Sequence, residues 1–132
     1  MVNNHIDELA RVAVFMEETG DEWNFPMSMV LNLNLVLEEA LTNIILYGFK
    51  SDTNHTIEVH FNKTGDDLSI EIIDDGIAFD PTNVADPDIT LSVENRTVGG
   101  LGIFLIRKIM DTVEYKRIAN KNKLILKKNI KP

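Results

Sequence analysis

Cysteine is absent from this chain of 132 residues, and so is any long uninterrupted apolar run. Without cysteine the chain has no disulfide framework and no thiolate metal site. No apolar run reaches the length of a membrane span or of a signal-peptide core. We therefore expect a cytoplasmic protein that forms one domain over residues 1–132, since a chain of this length can bury a single hydrophobic core.

Basic side chains are in the minority, with 13 lysines and arginines against 21 aspartates and glutamates and a formal net charge of −8. An acidic chain repels the phosphate backbone of nucleic acids, and the basic residues form no stripe apart from the C-terminal lysines. We expect neither nucleic acid nor a membrane among the partners. An acidic surface is common in soluble domains, so the charge excludes partners without identifying one.

A helical pattern from about Ser28 to Tyr47 is the longest regular feature of the sequence. Glu39 and Asn43 lie one turn apart along one margin of its apolar stripe. A partly desolvated carboxylate is a stronger base than one in water, and a carboxamide oxygen is a suitable ligand for Mg²⁺. Both residues could equally be surface positions of an ordinary amphipathic helix. The stripe that we expect to face the core comprises Leu33, Val36, Leu37, Ala40, Ile44 and Tyr47, with Asn34, Glu38 and Thr42 on the far side.

The other patterns predict two more helices and two antiparallel hairpins. A first helix spans residues 5–19 and stops at Gly20, and a third runs from Ile103 to about Asp111. Alternating apolar residues over 57–72 predict one hairpin. Residues 113–128 predict the other, with its turn at 120–122 and a last strand from residue 123 that points Leu124 and Leu126 inward. Residues 80–98 have no period and predict a long loop, of which Arg96 is the only basic residue.

Two turn-forming segments carry groups that suit a nucleotide. Asp74, at the end of a hairpin strand, has a carboxylate that can accept two N–H bonds and so select an aminopurine, although Asp74 or Asp75 could also be a simple turn residue. Gly99, Gly100, Leu101 and Gly102 form a glycine-rich stretch at a helix start, where backbone N–H groups can approach a phosphate. A tight turn explains such glycines equally well.

The stretches Glu39-Ala-Leu-Thr-Asn43, Asp74-x-Gly76 and Gly99-Gly-Leu-Gly102 stand in one order along the chain. In this the chain resembles the GHKL ATPase superfamily, whose N, G1 and G2 boxes have the same order and spacing. The sequences EALTN followed by LYGF, DDGIAFDP and GGLGIFLIRKIMD are most similar to the anti-sigma factor serine kinases. The resemblance covers about residues 5–129. It implies the Bergerat fold, an α+β two-layer sandwich in which a mixed, largely antiparallel sheet carries three helices on one face.

The resemblance also implies a role for each motif residue. Asn43 would help to hold Mg²⁺ on the phosphates of ATP, Asp74 would receive the adenine amino group, and Gly76 would permit close backbone approach. Glu39 would be the base that accepts a serine proton. The glycine-rich stretch, Gly99 to Gly102 with Leu101, would wrap the phosphates.

Arg96 is our candidate for a mobile arginine that neutralises charge during phosphoryl transfer, and a solvated loop residue is the alternative. Ala78 stands where the family's G1 box usually has a second glycine, and we retain it among the nucleotide-binding residues because a methyl group is small. Relatives usually have a strand before the first helix. Only Met1 to Asn4 remain to form it here, so the sequence leaves open whether this strand is present or the sheet is one strand short.

The function implied by the resemblance is an ATP- and Mg²⁺-dependent protein-serine kinase of a bacterial partner-switching pathway. It would phosphorylate a STAS-type anti-sigma antagonist and sequester a sigma factor or another target. The alternative is a nucleotide-gated binding module that holds partners without transferring phosphate. A detached ATPase domain of a histidine kinase is disfavoured because the loop over residues 80–98 is short for the lid of that family and because the phosphoacceptor hairpin is missing. Whether the chain forms a homodimer stays open.

Overall fold

The computed structural model describes residues 2–47, 55–78 and 100–130, and its elements alternate between helices and strands. Arg96, Gly99 and the predicted loop over residues 80–98 lie outside the described residues, as do Gly48 and the side chain of Tyr47. In chain order the elements are β1 (Val2–Asn3), a 3-10 turn (Ile6–Glu8), α1 (Leu9–Glu22), α2 (Met27–Tyr47), β2 (Thr56–Thr64), β3 (Asp67–Asp74), α3 (Gly100–Ile109), β4 (Thr112–Ile118) and β5 (Lys121–Asn129).

The sheet has the strand order β1-β2-β3-β5-β4. Each of the four pairings between described strands is antiparallel. The sequence left open whether the sheet has a first strand, and the structure shows a two-residue β1, in which Val2 lies opposite Ile57 and Asn3 opposite Thr56. Asn4 extends this edge, since its backbone N–H donates to the carbonyl of His55 at 3.0 Å. β1 therefore covers only the start of the edge of β2.

One face of the sheet is covered by helices. Successive side chains of a strand point to opposite faces, so every second residue of β3 and β5 faces the helical layer. The core residues from the sheet and from the helices are Ile57, Leu68, Ile70, Ile72, Leu124 and Leu126, and Leu33, Val36, Leu37, Ala40, Leu41, Ile103 and Ile106. Full burial of each leucine, isoleucine or valine among them contributes about 1.5–3 kcal/mol to stability. The two-layer sandwich with a largely antiparallel sheet is confirmed, and so are the inward positions of Leu124 and Leu126.

Gly20 does not end the first helix, which corrects our prediction. The helix continues to Glu22, and Gly20 is buried against α2. A Cβ atom at this position would come within 2.5 Å of Cγ2 of Val30. Gly20 therefore lets α1 and α2 approach each other closely. The chain reverses just beyond it, where Asn24 adopts a φ of 59°.

The faces of α2 follow the predicted stripe, except that two of the residues predicted to lie on the far side, Asn34 and Thr42, are half-buried. Four residues of the stripe, Leu33, Val36, Leu37 and Ala40, are buried, and Ile44 is half-buried. Glu38 is exposed, and Glu39 and Asn43 are half-buried at the margin of the stripe. Asn34 was predicted to lie on the far side, but it is half-buried and borders a cavity between α1 and α2. The periodicity of α2 could not reveal this, because it does not show which flank of the helix α1 covers.

By length and composition alone, the stretch Met27–Leu46 of α2, with a mean hydropathy of 1.4, could cross a membrane. We expected no such stretch. It arises because the mean hydropathy is an average over apolar residues and the polar side chains between them. A core helix of a soluble protein has the same composition, and α2 supplies the buried Leu33, Val36 and Leu37 to the core. The hydropathy of α2 is therefore weak evidence for a membrane.

The final hairpin turns one to two residues earlier than predicted. Ala119 and Asn120 have φ values of 50° and 63°, the left-handed backbone that a tight two-residue hairpin turn requires. Strand β5 therefore begins at Lys121, and Asn122 belongs to the strand instead of to the turn. This shift places Asn122 on the same side of the sheet as Leu124 and Leu126.

Candidate nucleotide-binding site

Asp74, the last residue of β3, lies on the face of the sheet that the helices cover. It continues the alternation of Leu68, Ile70 and Ile72, and its side chain is only 4% exposed. Its Oδ1 accepts hydrogen bonds from the backbone N–H of Gly76 at 2.8 Å and from Nδ2 of Asn122 at 3.0 Å. Both bonds end on Oδ1, so within the described residues Oδ2 keeps its capacity to accept from a ligand. The two bonds fix the orientation of the carboxylate and leave Oδ2 available to a ligand.

The pKa of the Asp74 carboxyl is raised above its usual value, chiefly because burial disfavours the charged form. The hydrogen bonds from Asn122 and Gly76 and the charge of Arg117 oppose this effect, while the charge of Asp75 adds to it. Keeping the Asp74 carboxyl ionised in the folded protein therefore costs free energy. An N–H donor from a ligand would stabilise the ionised form further.

Asn122 is the site residue that sequence reasoning missed. It lies directly opposite Asp74 in the β3–β5 pairing and is 7% exposed. Its Nδ2 donates to Asp74 and, at 2.8 Å, to the carbonyl of Ile77, while its Oδ1 accepts from the hydroxyl of Tyr115. We had assigned Asn122 to a turn. The available signal was its spacing from Leu124 and Leu126, which places a polar side chain on a core-facing row.

The segment that follows Asp74 is fixed from two sides. Nη1 of Arg117, on β4, donates to the carbonyl of Gly76 at 2.9 Å. On the side of β2, Nδ1 of His55 lies 3.1 Å from Oδ1 of Asp75. Gly76 is buried, and Ala78, the last described residue of this segment, is exposed. The backbone around Gly76 is therefore held in place before any ligand arrives, as a site for a rigid base requires.

Glu39 and Asn43 lie on α2, the helix that packs over the sheet. Burial, and secondly the neighbouring charge of Glu38, raises the pKa of the Glu39 carboxyl. Nδ2 of Asn43 is buried and has no hydrogen-bond partner among the described residues. A buried donor without a partner costs about 1–3 kcal/mol, so a ligand with acceptor oxygens would stabilise this position. An amide can also offer its oxygen to Mg²⁺. The residues present therefore fit a metal–phosphate ligand.

Gly100, Leu101 and Gly102 form the first turn of α3. Helix α3 packs against α2, and its Ile103 and Ile106 belong to the same core as Ile72 of the sheet. The first backbone N–H groups of a helix have no intrahelical partner and favour an anion. A potential phosphate seat therefore lies at the start of α3, a helix that packs against α2. Gly99 and Arg96, the other two predicted members of the site, lie outside the described residues.

Sequence comparison relates residues 2–128 to the family described as histidine kinase-like ATPase domain. The serine/threonine-protein kinase BtrW of Bordetella bronchiseptica is 30% identical over 112 residues, which cover 85% of this chain and 78% of that protein. The serine-protein kinase RsbW of Bacillus cereus is 29% identical over 110 residues, which cover 80% of this chain and 68% of that protein. The similarity thus spans all the described elements of the site.

Solved structures show the same fold at lower identity. A blue-light activated histidine kinase of Erythrobacter litoralis superposes with a TM-score of 0.58 at 14% identity, over 80% of this chain and 32% of that chain. The histidine kinase AdeS of Acinetobacter baumannii superposes with a TM-score of 0.55 at 16% identity, over 78% of this chain and 48% of that chain. At these identities the likeness concerns the fold alone.

Proposed function

Because the chain belongs to the histidine kinase-like ATPase domain family, we propose that it is an ATP-dependent protein-serine kinase and anti-sigma factor of a bacterial partner-switching pathway. Two relatives at about 30% identity are named serine kinases, and each match covers at least four fifths of this chain. The observation that carries the nucleotide part is the buried Asp74 carboxylate, with Oδ1 fixed by Gly76 and Asn122. Such an acceptor suits the amino group of adenine.

In the proposed mechanism Asp74 orients the base and the fixed Gly76 backbone allows it to approach closely. Gly99, Gly100, Leu101 and Gly102 offer backbone N–H groups to the phosphates. Asn43 would hold Mg²⁺. ATP would supply the phosphoryl group, and the ion would neutralise its negative charge. Arg96 is proposed to contribute a second positive charge. Ala78 would line the site beside Gly76.

Glu39 is the proposed general base, which takes the proton from a serine hydroxyl of the substrate protein. Its raised pKa makes its ionised form a stronger proton acceptor, which is the property that this role requires. Its half-buried place on α2, one turn before Asn43, supports the assignment, because a base must lie near the metal-bound phosphate that is transferred. The adjacent Glu38 is exposed and has no role in this mechanism.

We propose a STAS-type anti-sigma antagonist as the substrate, a sigma factor or similar regulator as the second partner, and the cytoplasm as the location. The test is incubation of the purified protein with Mg²⁺, labelled ATP and a STAS-type antagonist from the same organism. We expect phosphate on a serine of the STAS protein. Nucleotide-dependent binding of that protein without any transfer would instead support the alternative, a nucleotide-gated binding module.

A further inference from the structure

Strands β4 and β5 carry a positive charge that the rest of this acidic chain does not share. They contain six of its 13 basic residues but only one of its 21 acidic residues, Glu114. Two of the six serve the fold. Arg117 donates to the carbonyl of Gly76, and Nζ of Lys128 donates to a carbonyl of α3 at 2.8 Å. The other four, which the proposed phosphoryl transfer does not use, are Lys116, Lys121, Lys123 and Lys127.

These four lysines lie on the face of the sheet that no described helix covers. Side chains alternate along a strand, so the odd-numbered residues of β5 point away from the helices, unlike Leu124, which belongs to the core. The even-numbered residues of β4 do the same, unlike Val113, which packs against the core. At the turn end of the hairpin, four neighbouring residues of this face form what we call the basic quartet. It consists of two cross-strand pairs, Lys116 opposite Lys123 and Ile118 opposite Lys121.

The positive charge of the basic quartet is incompletely neutralised. Lys116 and Lys121 are exposed and have no ion-pair partner among the described residues. Nζ of Lys123 lies 3.5 Å from Oε1 of Glu71 on β3. Like charges directly opposite each other destabilise a sheet, so the pairing of Lys116 with Lys123 favours an anion from outside the chain. Protection of a sheet edge against aggregation would explain Lys116 alone, since β5 is paired on both sides.

The basic quartet is small and has one apolar corner, where the side chain of Ile118 is 56% exposed. A matching ligand therefore carries carboxylates and an apolar side chain. The same face also has Glu71 on β3 and Glu114 on β4, both opposite Ile125 of β5, and Glu114 lies 3.9 Å from Lys127. A nucleic acid or an anionic membrane would extend over these carboxylates and would be repelled by a chain with a net charge of −8. A short peptide segment would fit within the quartet.

We propose that the basic quartet binds a short acidic segment of a partner protein. The carboxylates of the segment would lie beside the three lysines, and one of its apolar side chains would contact Ile118. Lys121 and Lys123 flank Asn122 in β5 but point to the opposite face, so the bound segment would not cover Asp74. ATP and the segment can therefore bind at the same time. The proposal does not depend on the kinase activity.

The test is a titration of the whole ¹⁵N-labelled protein with the acetylated and amidated pentapeptide Glu-Glu-Leu-Glu-Glu, followed by amide chemical shifts at fixed pH and low ionic strength. We expect saturable shifts centred on β4 and β5 and an affinity that falls as salt is added. The peptide Gln-Gln-Leu-Gln-Gln, which lacks the charge, should not bind, and Glu-Glu-Ser-Glu-Glu, which lacks the apolar side chain, should bind more weakly. Equal shifts with the glutamine peptide, or none with the acidic one, would overturn the proposal.

Charge reversals in the basic quartet provide the second test. Lys116→Glu should weaken peptide binding about tenfold. It should also raise the midpoint of thermal unfolding, because it places opposite charges across the β4–β5 pair, and this separates a lost contact from a damaged fold. Lys121→Glu should weaken binding similarly. Lys63→Glu, at an exposed position of β2, makes the same change of charge outside the quartet and is the control. Unchanged affinity in both quartet variants, or an equal loss in Lys63→Glu, would refute the assignment.

Other occupants of this face would give different results. Duplex DNA or phosphatidylserine vesicles that bind wild type but not Lys116→Glu, in place of the peptide, would assign the face to a nucleic acid or a membrane. Self-association that sedimentation detects in wild type but not in Lys116→Glu, again without peptide binding, would assign it to a second copy of this chain. Either result would overturn the proposal of an acidic partner segment.

Discussion

Asp74 uses only one of its two carboxylate oxygens to hold the fold, since Oδ1 accepts the bonds from Gly76 and Asn122. An asparagine at this position could keep both bonds through its own oxygen, but it would present an NH₂ group where an acceptor for adenine is required. We predict that Asp74→Asn folds normally and loses ATP affinity by about 2–4 kcal/mol, or about 30- to 1,000-fold. Isothermal titration calorimetry measures this, and near wild-type affinity would remove Asp74 from the site.

The same substitution should alter how stability depends on pH. Burial raises the pKa of Asp74, so the folded state favours the protonated form more than the unfolded state does. The contribution of Asp74 to stability is therefore greatest below its unfolded-state pKa and falls as the pH rises through the raised folded-state pKa. Asn does not titrate. The unfolding free energy of Asp74→Asn minus that of wild type should rise as the pH is raised from below the unfolded-state pKa of aspartate, about 3.9, through the raised folded-state pKa.

Urea titrations at several pH values test this prediction. Asp21→Asn, at an exposed position on α1, is the matched control for the loss of one carboxylate. A difference between Asp74→Asn and wild type that is constant over the pH range would mean that burial of Asp74 does not couple to its ionisation.

Glu39 is the residue at which the kinase and the binding module make opposite predictions. Glu39→Gln keeps the size of the side chain and its hydrogen-bonding reach but removes its basicity. ATP and partner binding should survive, while single-turnover transfer to serine should fall by about 10² to 10⁴, the usual contribution of a positioned general base. Glu38→Gln is the control, because Glu38 points about 100° away on the same helix. Equal losses in both variants would exclude Glu39 as the base.

At the scale of elements, the contact between α1 and α2 depends on Gly20. The sequence suggests a helix stop, but the structure shows a buried contact with Val30 at which a Cβ atom would be only 2.5 Å from Cγ2. Gly20→Ala should gain up to about 1 kcal/mol in helix propensity and lose about 1–3 kcal/mol through overpacking. We predict a net destabilisation of about 1–2 kcal/mol, measurable by chemical denaturation.

The double variant Gly20→Ala/Val30→Ala separates the steric effect from a change in helix propensity. Removal of Cγ2 should make room for the new methyl group, so the double variant should be more stable than the sum of the two single effects predicts. Strict additivity would show that α1 and α2 move apart to accept the methyl group and that Gly20 does not set their separation.

At the scale of the whole molecule, the last two strands hold the proposed adenine pocket. Strand β5 lies between β3 and β4 in the sheet. Arg117 therefore contacts Gly76, which lies 41 positions earlier in the chain, and Asn122 contacts Asp74, which lies 48 positions earlier. Arg117 holds the carbonyl of Gly76, and Asn122 bridges Asp74, Ile77 and Tyr115. The final hairpin is therefore part of the candidate site as well as part of the sheet.

Asn122→Ala tests this connection. It removes three hydrogen bonds and leaves buried partners behind, so we predict a loss of about 1–3 kcal/mol in stability. ATP affinity should also fall, because Asp74 loses one of the two donors that fix its orientation. Asn62→Ala, at an exposed position of β2, is the control and should affect neither property. A loss of stability with unchanged affinity would restrict Asn122 to a structural role.

The sequence by itself determined the features that depend on local periodicity. The stripe of α2, the alternation in β3 and the glycine-rich start of α3 follow from 3.6- and two-residue repeats and from turn chemistry. The resemblance carried by the three motifs then indicated the fold and the expected roles of Glu39, Asn43 and Asp74. The tertiary structure alone decided which distant residues meet. The pairing register sets Asn122 opposite Asp74, and helix packing turns Asn34 toward α1 and buries Gly20 against Val30. These features depend on the relative placement of elements, because a repeat specifies the face of an element without specifying its neighbour.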